Sequence, residues 1–123
     1  MKLTVVIVYL LAIIVMAVFP FSAVGVGSFN ELQVITFRLD HLLHLAVFIP
    51  FYPLVVWLLN PSGTTQKAFI LLAALGFAAL TEYMQLYIDY RSYNPADLIA
   101  NIAGIIAGFS GSILYVWLFR RSK

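Results

Sequence analysis

An all-α, polytopic membrane protein, a four-transmembrane-helix bundle with both termini cytoplasmic, is the fold class this sequence predicts, and three observations predict it. Of 123 residues, 63% are hydrophobic and only 10% charged, with a mean hydropathy of +1.01, which is more apolar surface than a soluble core of this size can hide. Four apolar segments, each near the length that crosses hydrocarbon, are separated by polar or turn-forming stretches. The basic residues sit at the ends of those segments, as topology determinants do, so the sequence pI near 9.0 is not a nucleic-acid signal. A single domain over 1–123 follows. The absence of cysteine excludes disulfides, thiolate metal sites and Cys nucleophiles.

The first span, about 3–21, is a nearly unbroken apolar run behind Lys2. A cleaved signal peptide is the rival reading, since Lys2 supplies a basic n-region and Ser22-Ala23 are small. The run is longer than a usual h-region and Phe21 fits badly before a cleavage site, so a retained helix is expected. From Ser22 to Leu39 lies the longest loop. Its second half, Val34-Ile35-Thr36-Phe37-Arg38, is too apolar to be freely solvated and too short to span, and is expected at the membrane surface.

The second span, about 40–59, carries Pro50 and Pro53 in its middle. Proline removes a backbone donor and strains the preceding turn, so a kink is expected there. Asn60-Pro61-Ser62-Gly63 is a turn. The third span runs over about 67–88 and the fourth over about 95–118, before Arg120, Arg121 and Lys123. In this layout Lys2, Lys67, Arg120, Arg121 and Lys123 fall on one side and only Arg38 and Arg91 on the other, which places both termini in the cytoplasm by the positive-inside rule. Every carboxylate and both histidines then lie toward the outer side.

Two helical stripes organise the second half of the chain. Ala74, Ala78, Glu82, Gln85 and Asp89 recur at three- and four-residue steps, and after Tyr90-Arg91-Ser92-Tyr93 so do Asp97, Asn101, Gly104, Gly108 and Gly111. Small residues let helices approach closely, so Gly104, Gly108 and Gly111 are expected to pack against a neighbouring helix; the Gly104–Gly108 face is also a candidate homodimer contact. Polar groups inside an apolar segment are costly to keep and mark function by default.

Glu82 is the most informative of these, about six residues inside the third span and so roughly 9 Å below its outer boundary, too deep to snorkel. Its carboxylate needs a partner, a wet cavity or a proton. Arg91 is the nearest cation in sequence and Gln85 lies one turn further out. Asn94-Pro95-Ala96-Asp97 reads as N-cap, N1 and an acid at N3, so capping alone can explain Asp97; it cannot explain Asn101, one turn deeper. Asp40 and His44 form a third pair at i, i+4, continuing to Phe48, with His41 off that face at the interface. Asp40, His44, Glu82, Gln85, Arg91, Asp97 and Asn101 are thus the candidate ligand-binding residues. Glu82, His44 and Asp97 are the acid/base candidates if there is catalysis. One histidine with two carboxylates does not fix a metal geometry, and neither a metal nor another cofactor is expected. Tyr83, Tyr87, Tyr90 and Tyr93 read as an interfacial aromatic belt.

Asp40-x-x-x-His44-x-x-x-Phe48, Glu82-x-x-Gln85, Arg91 and Asp97-x-x-x-Asn101-x-x-Gly104-x-x-x-Gly108, in this order on short spans, resemble the VanZ-like family of bacterial membrane proteins. The resemblance covers Asp40 to about Gly111. His41 stands where the family commonly has lysine, and Tyr90 where a glycine often precedes the arginine. The resemblance implies a multi-pass protein of the bacterial cytoplasmic membrane and an association with reduced teicoplanin susceptibility, with no fixed biochemical activity.

Three functions are therefore carried forward. The leading one is a non-enzymatic protein whose outward polar cluster recognises a cell-envelope amphiphile, either a membrane lipid headgroup or a lipid-linked envelope molecule, and not nucleic acid. The second is an intramembrane enzyme on a lipid-linked substrate with Glu82 or His44 as acid/base, for which Thr81 and Ser92 are unconvincing nucleophiles. The third is a structural module in which the polar stripes only fasten helices.

Overall fold

Side chains that a soluble protein would bury lie on the outside of this one: Phe69, Leu72, Ile99 and Tyr115 are exposed, while Glu82, Gln85, Asp97 and Asn101 are buried. That inversion is what lipid as solvent selects, because apolar surface faces hydrocarbon without penalty and polar groups must be satisfied internally. The structure, a computed structural model, describes residues 1–18, 33–34, 37–89 and 94–119, with side chains described over 1–18, 41–89 and 94–119.

Among the described residues the regular structure is helical apart from a two-residue antiparallel ladder, β1 (Gln33–Val34) with β2 (Phe37–Arg38), in register Gln33 to Arg38 and Val34 to Phe37. The helices are α1 (Lys2–Val18), α2 (Leu39–Phe48), α3 (Phe51–Leu59), α4 (Thr64–Gln85) and α5 (Pro95–Phe119). Among the described residues three stretches are long and apolar enough to cross a membrane: His41–Leu59, Thr64–Gln85 and Pro95–Phe119. The described part of the expected first span is shorter, 17 residues, a rise of about 25 Å against about 30 Å of hydrocarbon.

The expected kink is present. Helix α2 ends at Phe48, and a turn at Ile49–Pro50 leads into α3. Bonding of helical type flanks the break, with Ile49 N donating to Leu45 O (3.2 Å) and Leu54 N to Pro50 O (3.0 Å). Asn60 caps α3 in the left-handed region (φ 47°, ψ 54°), a conformation that asparagine tolerates, and its N–H reaches Val56 O at 2.9 Å. Pro61 then prevents continuation. Gln66 Oε1 accepts from Ser62 N (3.0 Å) and Gly63 N (3.4 Å), so α4 begins three residues before the expected Lys67. It also ends earlier, at Gln85 rather than Ile88, because the chain turns through Leu86 and Tyr87. Asn94 Oδ1 accepts from Ala96 N (3.1 Å), the expected N-cap of α5.

Cross-helix contacts set the directions. Lys2 Nζ donates to Trp57 O (3.2 Å) and the Tyr9 hydroxyl to Val47 O (2.5 Å), so α1 runs antiparallel to α2–α3. Val47 lies in the last turn of α2, where carbonyls lack intrahelical donors, and Tyr9 supplies one. Gln85 Nε2 reaches Ala17 O at 3.5 Å, a long bond that aligns the end of α4 with the end of α1. The core between these ends is Ile13, Phe48, Phe51, Ala74, Ala78 and Ile105, with the Phe51 ring stacked on Phe48 at 6.1 Å and tilted against Phe77 at 5.3 Å.

Helix α5 packs most extensively against α2, and two glycines allow it. A Cβ at Gly104 would meet the Leu45 carbonyl oxygen, with Phe48 Cβ at 3.0 Å; one at Gly108 would meet the Ile49 carbonyl oxygen, with Pro53 Cδ at 3.2 Å. Pro53 has no N–H to offer the Ile49 carbonyl four residues back, so the proline that breaks the span also bares the oxygen against which α5 rests. A Cβ at Gly111 meets nothing within 4 Å, so this glycine does not share the packing expected of it. The Gly104–Gly108 face considered for a second copy is covered by the chain's own second span.

Candidate functional site

The polar residues converge at the end of the molecule where α2 and α5 begin and α4 finishes, remote from Lys2. On α2, His41, His44, Leu45 and Phe48 recur at three- and four-residue steps and face α5, whose own ladder is Asp97, Asn101, Gly104 and Gly108. Because the two helices run in the same direction and the glycines hold them close, the ladders meet rung by rung. Helix α4 lies against the same seam and adds Glu82.

The outer rung joins His41 Nδ1 to Asp97 Oδ1 at 2.6 Å, with the imidazole part-exposed and the Asp97 side chain buried. The inner rung joins three helices. His44 Nδ1 bonds Asn101 Oδ1 at 3.0 Å, and Asn101 Nδ2 donates to Glu82 Oε1 at 2.8 Å. A carboxylate oxygen accepts here, so the amide must turn its NH₂ toward Glu82 and its oxygen toward His44. That orientation makes His44 Nδ1 the donor and fixes the imidazole proton on that nitrogen. His44 Nδ1 also lies 3.7 Å from Glu82 Oε1, close enough to attract but beyond a hydrogen bond, so Asn101 carries the link. Glu82 is 1% and Asn101 0% exposed, values that place this rung in a medium where every hydrogen bond is strong and any loss is costly.

His44, Glu82, Asp97 and Asn101 are thus gathered as the sequence leads one to expect, although Glu82 lies three residues from the end of its helix rather than six. Gln85 is buried but turns to α1 through Ala17 O rather than to the rungs. Arg91 and the Asp40 side chain fall outside the described residues. His41, set aside as interfacial, is a member of the site and holds Asp97, so N-capping is not the whole role of that carboxylate. The signal for it was present: His41 precedes His44 by three residues as Asp97 precedes Asn101 by four, one helical step in each partner.

Chemically, the described residues offer acid/base groups without a partnered nucleophile; Ser92 lies outside them. The Thr81 hydroxyl donates to Ala78 O at 2.8 Å, within its own helix. Among the described residues, no three His, Asp or Glu side chains converge as metal ligands would. Tyr83 and Tyr87 are exposed beside the site, their hydroxyls 2.9 Å apart and their rings edge-to-face.

No curated protein and no solved structure matches this chain. A family model described as VanZ/LLP1 matches residues 6–120, nearly the whole sequence, and takes in every rung of the polar ladder. The chain belongs to the VanZ/LLP1 family.

Proposed function

We propose that this VanZ-like membrane protein recognises an amphiphile of the cell envelope, a lipid headgroup or a lipoglycopeptide, at the polar end of its bundle, without converting it chemically. The observation that carries the reading is the two-rung ladder: ionisable side chains from three helices gathered at one end of a segment otherwise fit for hydrocarbon, with a part-exposed imidazole at the rim. Such groups are expensive in lipid and are expected where polar chemistry must be met at the membrane boundary. In this reading the chain sits in the bacterial cytoplasmic membrane with both termini inside and the ladder facing outward. His41 and Arg91 meet an anionic headgroup, and Asp97, with Asn101 and Glu82 behind it, sets the charge and position of the rim. Binding in that position lowers susceptibility to teicoplanin, whose lipid tail places it at the same surface.

Two other readings have an observation each. Asn101 bridges α2 and α4, which favours fastening of helices as a role in itself. The 3.7 Å approach of His44 to Glu82 favours an acid/base pair acting on a lipid-linked substrate, but the internal bond of Thr81 leaves that pair without a nucleophile among the described residues. Binding of teicoplanin and of envelope lipid extract to purified protein separates the readings. Arg91→Ala and His41→Ala are expected to weaken binding at least several-fold in protein that unfolds like the wild type. Unchanged binding by both folded variants would remove the proposed headgroup contacts.

A further inference from the structure

The two rungs of the ladder differ in how much hydrogen-bonding capacity they leave unused. In the inner rung Asn101 commits both ends of its amide to the protein, the oxygen to His44 and the nitrogen to Glu82. The outer rung is a single contact, His41 Nδ1 to Asp97 Oδ1 at 2.6 Å, and among the described residues neither side chain has a second hydrogen-bond partner. The other polar groups nearby are engaged: the Tyr83 and Tyr87 hydroxyls with each other, Thr81 within its own helix and Gln85 with α1. Spare capacity is therefore concentrated in His41 and Asp97.

An imidazole has two ring nitrogens and a carboxyl group two oxygens, so Nε2, on the far edge of the ring from Asp97, and lone pairs of Asp97 are left over. Both side chains can be reached from outside, with 18% of His41 and 7% of Asp97 exposed. Polar capacity at a lipid boundary is costly unless a polar group meets it. The chemistry of that group is restricted. Nε2 accepts a hydrogen bond in the neutral ring and donates one in the charged ring, whereas carboxylate oxygens accept. A phosphate oxygen only accepts and offers Asp97 nothing; an ammonium only donates and is repelled by a charged ring. A hydroxyl donates and accepts, so it suits the ring in either state, and a neighbouring hydroxyl suits the carboxylate.

We infer that the outer rung reads hydroxyl groups: the amphiphile met here carries a polyol headgroup, the glycerol of a phospholipid or the sugar of a glycolipid, with one hydroxyl on His41 Nε2 and its neighbour donating to Asp97. This rests on the amphiphile reading above and narrows its ligand. It gives His41 and Asp97 the discrimination among headgroups, with hydroxyls worth about fivefold in retention, the net contribution of one hydrogen bond.

Native mass spectrometry of the full-length protein, delipidated and then given two matched pairs of dioleoyl lipids, tests it. Phosphatidylglycerol against phosphatidylethanol varies the hydroxyls at constant charge, and glucosyl diacylglycerol against its tetra-O-methyl form does the same for a sugar. Wild type is expected to retain the hydroxylated member at least about fivefold better, in the first pair if the ligand is a glycerol and in the second if it is a sugar. His41→Phe should abolish that preference, and Asp97→Asn, which keeps the shape and one acceptor oxygen, should weaken it. Equal retention within both pairs by wild type, or an undiminished preference in either folded variant, would overturn the inference and leave the amphiphile reading standing. Retention of none of the four lipids would remove the lipid-headgroup reading and this inference with it.

Discussion

Asn101 donates to Glu82 and accepts from His44, so truncating it takes a hydrogen bond from a buried carboxyl group and a buried imidazole in the same step. Interhelical hydrogen bonds in membranes contribute about 0.6–2 kcal/mol each, so Asn101→Ala should cost about 1–3 kcal/mol, measured by reversible unfolding in mixed micelles. Glu82→Gln behaves differently: an amide oxygen in the same place still accepts from Asn101 Nδ2, and the expected loss is below about 1 kcal/mol. A double-mutant cycle that pairs Asn101→Ala with Glu82→Ala, which removes the acceptor, should show the coupling between the two positions. At this scale the sequence was legible where a residue type is expensive in its surroundings. Glu82 and Asn101 stood out because nothing in an apolar helix explains them. His41 did not, because a histidine near a membrane boundary has many ordinary reasons to be there, and only its register against α5 reveals its partner. The contact of Gln85 was not legible for the converse reason, since its amide reaches a backbone carbonyl of a helix far away in sequence.

The unit of assembly is the α2–α5 seam, and its glycines are not equivalent. Gly104→Ala and Gly108→Ala would drive a Cβ into the carbonyl oxygens of Leu45 and Ile49, which are backbone and cannot step aside. Each should destabilise by about 1–3 kcal/mol and separate the rungs above it. Gly111→Ala and Gly76→Ala meet open space and should instead stabilise their helices by up to about 1 kcal/mol, since alanine is the better helix former. Thermal unfolding of the four variants in one detergent checks the contrast, and a similar loss at Gly111 would mean that this face is covered in the membrane. The small-residue stripe was readable from spacing alone, but its extent was not, because where two helices part company depends on the bend that Pro50 and Pro53 place in the opposing span. Proline content predicted the break; that the bared Ile49 carbonyl would seat α5 needed coordinates.

Among the side chains described, the lysines and the carboxylates divide between two ends: Lys2 and Lys67 at one, the polar ladder with Asp89 at the other. Apolar runs and basic flanks made that division legible before any contact was known, because segment length and charge placement are what a bilayer itself reads. The chain has no cysteine, so single-cysteine variants report its orientation cleanly. Asp89→Cys should react with an impermeant maleimide in intact cells and Ser62→Cys only after permeabilisation; the reverse pattern would turn the ladder to the cytoplasm. The central claim is that the ladder serves recognition beyond holding helices together, and Glu82→Gln isolates it, since that change removes the acid while keeping the Asn101 bond. The decisive measurement is teicoplanin and vancomycin susceptibility in a Gram-positive host carrying wild type, Glu82→Gln or Arg91→Ala at matched membrane levels. The account predicts that wild type protects against teicoplanin more than vancomycin and that both variants, stable and well expressed, lose the protection. Full protection by a stable Glu82→Gln protein, or none by wild type against either drug, would contradict it.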